Sequence, residues 1–162
     1  MNLVEFQKSI APKRMEVIND LCRFLPADTL LFWSDNPDLQ SFQKKHWQPL
    51  LDKLNGVFKL NVKTTTDLYL DEDATLTKEF AHHLNKMSDK ELTACFLTAS
   101  KTKSVLLGLL MAKQKISPAD ALYASFLEEF YQNQKWGEDV AALNLRRLVK
   151  EDLEEIERFL QS

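Results

Sequence analysis

Histidine and acidic side chains are the first groups in this chain to test for chemistry, because they could bind a metal ion. His82 and His83 are adjacent, and neighbouring residues on a helix point about 100° apart, so both rings cannot face one site. Asp73 and Glu79 lie nearby, but no third ligand follows at the spacing that a metal site needs. The sequence therefore predicts no metal site.

The sequence also contains no combination of residues that is typical of an enzyme active site. Glu128 and Glu129 are adjacent, so on a helix they diverge and cannot act as an acid/base pair. Cys22 and Cys95 are far apart within apolar helical patterns, which is typical of small buried side chains in a reducing compartment. No glycine-rich phosphate loop, nucleophile elbow or cysteine–histidine signature is present. We expect neither enzymatic activity nor a cofactor.

Composition limits the class of protein further. The chain has 162 residues, of which 44% are hydrophobic and 28% charged, so residues 1–162 are expected to form a single folded domain. The net charge is −3 and no basic stretch occurs, which argues against a nucleic-acid partner. The longest apolar run, residues 104–112, is half the length that spans a bilayer, and no secretory leader is recognisable. We expect no membrane insertion and a location in the bacterial cytoplasm or the mitochondrial matrix.

Hydrophobic periodicity predicts a mainly α fold, a compact domain of several helices with a minor β element. Only three glycines and five prolines occur, too few for a turn-rich β fold. Two short apolar segments, 29–34 and 58–62, are predicted to pair as a two-stranded element. Helices are predicted from residue 3 to near Pro12 and from Pro12 through residue 22, and then over 39–54, where Pro49 is expected to cause a kink or start a new turn. Further helices are predicted over 75–84, 88–99, 105–111, 118–136 and 138–160.

Glu128 is the candidate for a partner contact, because of its place on the predicted helix 118–136. At about 100° per residue it lies roughly 150° from the centre of that helix's apolar stripe, so it should face away from the core. Small residues such as Ala124 precede it, and Gln132 and Lys135 follow, which predicts a flat partner-binding surface. An ordinary solvated glutamate with a weak Lys135 contact is the alternative. The apolar stripe consists of Leu122, Tyr123, Phe126, Leu127, Phe130 and Tyr131.

Tryptophan and glycine mark two structural positions. Trp47 lies in an apolar set and is predicted to belong to the core. Trp136 precedes Gly137, which should end the helix, and Asp139 should begin the next one. We interpret Trp136 as an aromatic plug in the corner between two helices, with a direct binding role as the alternative.

Charge is uneven along the chain. Residues 117–162 contain ten acids and five bases, a net charge of −5, whereas residues 1–116 have a net charge of +2. This pattern fits either solvated helix faces or an acidic surface that orients a basic partner.

One segment carries a family resemblance. Residues 127–139, LEEFYQNQKWGED, resemble the signature of the alpha-subunit assembly chaperones of F-type ATP synthase, the ATP synthase assembly factor 2 type of mitochondria and alphaproteobacteria. Further similar segments occur in order along nearly the whole chain. They are Ile10-Ala11-Pro12, 30–33 (LLFW), 47–51 (WQPLL), Leu97-Thr98, Arg146-Arg147 and 158–160 (RFL).

The resemblance implies a non-enzymatic chaperone. Such a protein binds the unassembled alpha subunit, masks the surface destined for the beta subunit, and assists formation of the alpha–beta hexamer. The family's implicated acidic residue falls on Glu128. The resemblance is to the mostly helical C-terminal domain of the family, and we expect the family's N-terminal β-rich domain to be absent. We expect a monomer.

Two other functions remain open from the residues alone. The chain could be a general helical interaction module for another assembly. It could also be a small hydrolase that uses Glu128 with His82 or His83, which would require these groups to converge in one cleft.

Overall fold

Nine α-helices make up most of the fold in the computed structural model, which describes residues 1–162. The mainly α prediction is confirmed. The helices are α1 Leu3–Ile10, α2 Arg14–Phe24, α3 Pro37–Val57, α4 Ala74–Asn85, α5 Asp89–Thr102, α6 Val105–Ala112, α7 Pro118–Ser125, α8 Leu127–Trp136 and α9 Val140–Gln161. Short 3-10 turns occupy Ala11–Lys13, Leu25–Ala27 and Thr29–Leu31.

Helix α6 lies at the centre of the core. Its sequence, VLLGLLMA, is apolar on all sides, and all eight of its residues are buried. Helix α5 packs directly on it, and α2 and α7 also contact it. A Cβ on Gly108 would lie 2.6 Å from the carbonyl oxygen of Cys95, so only glycine permits this approach of α6 to α5.

The first turn of α6 is held by a buried carboxylate. Asp28 accepts hydrogen bonds from the backbone N–H of Leu106 at 2.9 Å and from the Ser104 hydroxyl at 2.8 Å. It also accepts from the Leu30 N–H at 2.9 Å. Burial raises the pKa of Asp28 to about 6, although these hydrogen bonds act in the opposite direction.

The predicted two-stranded element is wrong. The segment 29–34 instead makes one isolated parallel bridge, from Phe32 to Thr65, which lies beyond the predicted segment 58–62. Trp33 N–H donates to the Thr65 carbonyl at 2.9 Å, and Thr65 N–H donates to the Leu31 carbonyl at 2.8 Å. No longer strand forms, because the Asp28 side chain caps a 3-10 turn over Thr29–Leu31.

The single helix predicted over 118–136 is divided at Phe126. Its φ of −106° and ψ of 24° leave the helical region, so α7 ends at Ser125 and α8 begins at Leu127. The two halves have different packing partners, since α7 packs against α9 and α8 against α3. The break changes which residues share a face with Glu128.

None of the nine helices combines the length and the apolar character that a membrane-spanning helix needs. Cys22 and Cys95 are free thiols, and burial raises the pKa of Cys95 to about 12. A thiol with such a pKa stays protonated and unreactive at neutral pH.

Candidate partner-binding surface

One exposed stripe runs along α8, and we call Glu128, Gln132, Lys135 and Trp136 the α8 stripe. All four residues are exposed. Their spacing of i, i+4, i+7 and i+8 places them on one face of the helix. The outward orientation predicted for Glu128 is confirmed, and the predicted partner of the stripe stays a prediction.

Glu128 is connected to the interior through a buried glutamine. The side-chain amide of Gln43, on α3, donates to Glu128 Oε1 at 3.2 Å. Gln43 is fully buried, and its own Oε1 accepts from the Ser34 N–H at 2.7 Å. The Glu128 carboxylate is therefore held in place although it is open to solvent. Gln43 was missed by sequence reasoning, because its spacing only indicates that it belongs to α3.

Ala124 does not belong to the surface, contrary to the prediction. It is buried, and its carbonyl accepts a hydrogen bond from the Trp47 indole at 2.9 Å. The prediction was wrong because the break at Phe126 separates the faces of α7 and α8. Trp47 is fully buried, so its predicted place in the core is confirmed.

No salt bridge forms between Lys135 and Glu128. The Lys135 ammonium lies over the Tyr131 ring, 4.8 Å from its centroid, as a cation–π contact. This contact directs the positive charge of Lys135 toward Tyr131 and leaves the Glu128 carboxylate without a cationic partner in its own chain.

Aromatic side chains attach α8 to α3 and α7. Phe42, on α3, lies 5.4 Å from Tyr131, and Tyr123, on α7, lies 4.7 Å from Phe130, between ring centroids. His46 packs against Phe42 in the same cluster, and its pKa is lowered by burial and by the charge of Lys45. Helix α8 is therefore a fixed element that presents its stripe on a rigid base.

The corner between α8 and α9 is held by Arg146. Its side chain is only 4% exposed and its guanidinium lies 4.7 Å from the Phe130 ring centroid. It pairs with Glu129 at 3.3 Å and with Glu138 at 3.9 Å. A signal for it exists in the sequence, because Arg146 continues the apolar stripe of α9 formed by Val149, Leu153 and Ile156.

Trp136 is not a plug in this corner. Its side chain is 85% exposed, because Arg146 fills the space between the helices instead. Gly137 does end the helix, with φ of 84° and ψ of 173°, a region that essentially only glycine adopts. Asp139 caps α9 by accepting from the Ala141 N–H at 3.0 Å. The predicted roles of Gly137 and Asp139 are confirmed, and the predicted burial of Trp136 is wrong.

The two histidines lie in a separate cleft. His83 Nε2 is 2.7 Å from the Phe58 carbonyl oxygen, and the cleft is lined by residues of α4 with Phe58 and Lys59. Glu128 does not line this cleft, so the structure does not bring it together with His82 or His83. No three side chains of His, Cys, Asp or Glu are gathered as a metal site.

Comparison with known proteins gives a consistent result. Residues 1–55 match the model of the ATP12 chaperone protein family. The mitochondrial protein atp12 of Schizosaccharomyces pombe is 29% identical, and the match covers 72% of this chain and 43% of that protein.

Solved structures match over most of the chain. A proposed chaperone from Agrobacterium tumefaciens is 28% identical with a TM-score of 0.85, covering 94% of this chain and 58% of that one. Atp12 from Paracoccus denitrificans, 23% identical with a TM-score of 0.86, has the same fold over 94% of this chain and 66% of its own. The chain therefore spans less than half of the curated relative and about two thirds of the Paracoccus protein. Together these matches show that the chain is similar to proteins of the ATP12 chaperone family, in sequence over residues 1–55 and in fold over most of its length.

Proposed function

We propose that this chain is an assembly chaperone of F-type ATP synthase that binds the unassembled alpha subunit through the α8 stripe. Similarity to the ATP12 chaperone family is the observation that carries the proposal. The chain acts as a monomer in the compartment where the enzyme is assembled, the bacterial cytoplasm or the mitochondrial matrix.

The geometry of α8 supports a binding role. Binding costs less when the contact element does not rearrange. Helix α8 meets this condition, because Tyr131 packs against Phe42 on α3 and Arg146 on α9 packs against Phe130. Its Glu128 carboxylate is oriented by Gln43 and has no cation of its own chain beside it. The group that it meets on the alpha subunit is therefore cationic.

Binding at this surface masks part of the alpha subunit until the beta subunit replaces the chaperone. An exposed ion pair contributes little in water and more once apolar groups around it exclude solvent. The contact of Glu128 therefore gains strength only when the surrounding surface is covered. The chaperone therefore holds the isolated alpha subunit. It is released when the beta subunit replaces the apolar contacts around Glu128.

Co-purification tests this proposal. The tagged chain is expressed in a cell that makes ATP synthase, and the chains recovered with it are identified and quantified. We expect the alpha subunit in clear excess over the beta subunit. Recovery of alpha and beta in equal amounts, or of a different assembly without either, contradicts the proposal. The second result would indicate a general helical interaction module.

A further inference from the structure

Trp136 is the most exposed aromatic residue of the chain, and the fold does not use its ring. Arg146 fills the corner between α8 and α9, and Gly137 and Asp139 set the turn. An indole has a large apolar surface, and leaving 85% of it in water is unfavourable unless a partner covers it. Trp136 is the last residue of α8, so its ring stands at the exposed end of that helix.

The position of Trp136 relates it to Glu128. Both belong to the α8 stripe, and eight residues at 1.5 Å each separate them by about 12 Å along the helix axis. Val140, the first residue of α9, follows four residues later and is 72% exposed. The stripe therefore has an acidic end at Glu128 and an apolar end at Trp136, with a second exposed apolar side chain at the start of α9.

We infer that Trp136 and Val140 form an apolar contact of the partner-binding surface. The partner segment carries a cationic group that meets Glu128 and an apolar side chain about 12 Å from it. This inference rests on the proposed function, since it names the chemistry that the same surface recognises. Exposed tryptophans are over-represented among the few residues that dominate binding at interfaces.

Charge around the indole favours a basic partner segment. Glu138 and Asp139 follow Trp136 after Gly137, and both are exposed. The region 117–162 has a net charge of −5, so a second copy of this chain would bring like charges together. A segment with basic residues beside its apolar side chain complements both features of the surface.

Paired substitutions test the inference. The binding of the purified alpha subunit of F-type ATP synthase is measured for the wild type, Trp136→Ala, Trp136→Phe and Glu128→Lys. Tyr69→Ala is the matched control, because Tyr69 is an exposed aromatic residue on the loop between α3 and α4. We expect Trp136→Ala to weaken binding about tenfold or more, Trp136→Phe to retain most of it, and Tyr69→Ala to leave it unchanged.

Fluorine NMR gives a readout that does not depend on a substitution. The chain is labelled with 5-fluorotryptophan, and the Trp136 signal is assigned by its loss in Trp136→Phe. On adding unlabelled alpha subunit, the Trp136 signal should lose its sensitivity to H₂O/D₂O exchange, because the ring leaves the solvent. The Trp47 signal should be insensitive throughout, because that ring is buried in the free chain.

The outcomes separate the two proposals. If Glu128→Lys loses binding while Trp136→Ala and the Trp136 signal are unaffected, the inference is wrong and the proposed function stands. If neither variant loses binding, the proposed function itself fails. If Trp136→Ala instead abolishes a self-association seen by sedimentation, the surface belongs to a second copy and the inference is overturned. If Trp136→Ala lowers the melting temperature, the NMR measurement on the wild-type chain decides.

Discussion

The buried side chain of Gln43 holds the exposed carboxylate of Glu128 through a hydrogen bond of 3.2 Å between Nε2 and Oε1. The same glutamine accepts from the Ser34 N–H, so both ends of its amide are satisfied. A surface acid is thereby given a fixed direction by the core. This arrangement makes the stability of the fold sensitive to the chemistry of both positions.

Replacing Gln43 by glutamate should reveal this coupling. Gln43→Glu places a buried carboxylate against Glu128, and two carboxylates in contact cannot both ionise without a large cost. We expect the free energy of unfolding to fall by about 1–3 kcal/mol at pH 7.5 and to recover partly at pH 5. Urea unfolding at both values measures this.

A double variant provides the control for that prediction. Glu128→Gln alone should cost less than about 0.5 kcal/mol, because the amide oxygen still accepts from Gln43. Added to Gln43→Glu, it should restore most of the lost stability, since an amide can donate to the new carboxylate. Costs that simply add in the double variant would mean that the two side chains do not interact in solution.

Charge reversal at Glu128 should affect binding and leave the fold intact. Glu128→Lys replaces attraction to a cationic group by repulsion, so we expect it to impair binding of the alpha subunit more than Glu128→Gln does. The substitution also removes the acceptor of the buried Gln43 amide, so its melting temperature should fall by a few degrees while the chain stays folded. Added salt should weaken wild-type binding more than that of Glu128→Gln. Aggregation of the alpha subunit in the presence of each variant is the measurement.

Glu72→Lys is the matched control for this charge reversal, because Glu72 is an exposed acid on the loop before α4. It makes the same change in net charge away from α8. The hypothesis fails if Glu128→Lys folds normally and suppresses aggregation as well as Glu72→Lys does.

Much of the fold was predictable, because most helix boundaries are encoded locally. Ser88 and Glu91 form the capping box that the sequence indicates, and Gly137 ends α8. The predicted strand pair failed for a tertiary reason. Asp28 caps the 3-10 turn Thr29–Leu31 and also accepts hydrogen bonds from residues more than seventy positions away. A local sequence pattern cannot predict these long-range hydrogen bonds.

The candidate site was predictable only in part. Helical periodicity placed Glu128 outward correctly, because it lies within a turn of the start of α8. It placed Ala124 wrongly, because the prediction assumed one uninterrupted helix through Phe126, where the backbone leaves the helical conformation. Trp136 was assigned to the interior from its residue type and its position before Gly137, whereas the space is filled by Arg146, whose pairing depends on three-dimensional packing.

Arg146 should therefore contribute more to stability than Trp136 does. Arg146→Met removes the contact with Phe130 and the pairs with Glu129 and Glu138. Both acids are about half exposed, so losing their partner costs little on its own, and we expect about 1–3 kcal/mol in total. Trp136→Ala should change the free energy of unfolding by less than about 0.5 kcal/mol. Chemical denaturation of both variants checks the order, and a larger loss for Trp136→Ala contradicts the structure.

Gly108 should be intolerant of even the smallest side chain. Gly108→Ala would place a methyl group 2.6 Å from the Cys95 carbonyl oxygen, a backbone atom that can move only if α5 and α6 separate. We expect the free energy of unfolding to fall by about 1–3 kcal/mol despite the better helix propensity of alanine.

Gly56→Ala is the control, because Gly56 also lies in a helix but has open space around its missing Cβ. It should gain up to about 1 kcal/mol in thermal or urea unfolding. Equal effects of the two substitutions would mean that α5 and α6 are not in close contact.

Asp28 should make the protein more stable at mildly acidic than at neutral pH. Burial raises its pKa from 3.8 to about 6, so the folded state binds its proton more tightly than the unfolded state does. The resulting stabilisation is fully present below pH 3.8 and is lost as the pH rises through 6. A shift of this size corresponds to about 3 kcal/mol, since each pKa unit is worth about 1.4 kcal/mol. The pKa of Glu91 is lowered, which has the opposite effect on the pH dependence of stability. The measurement is therefore the difference in unfolding free energy between the wild type and Asp28→Asn, taken from pH 4 to pH 7.5. The variant cannot titrate, so the advantage of the wild type should shrink as the pH rises. A difference that stays constant over this range would mean that the pKa of Asp28 is the same in the folded and unfolded chains.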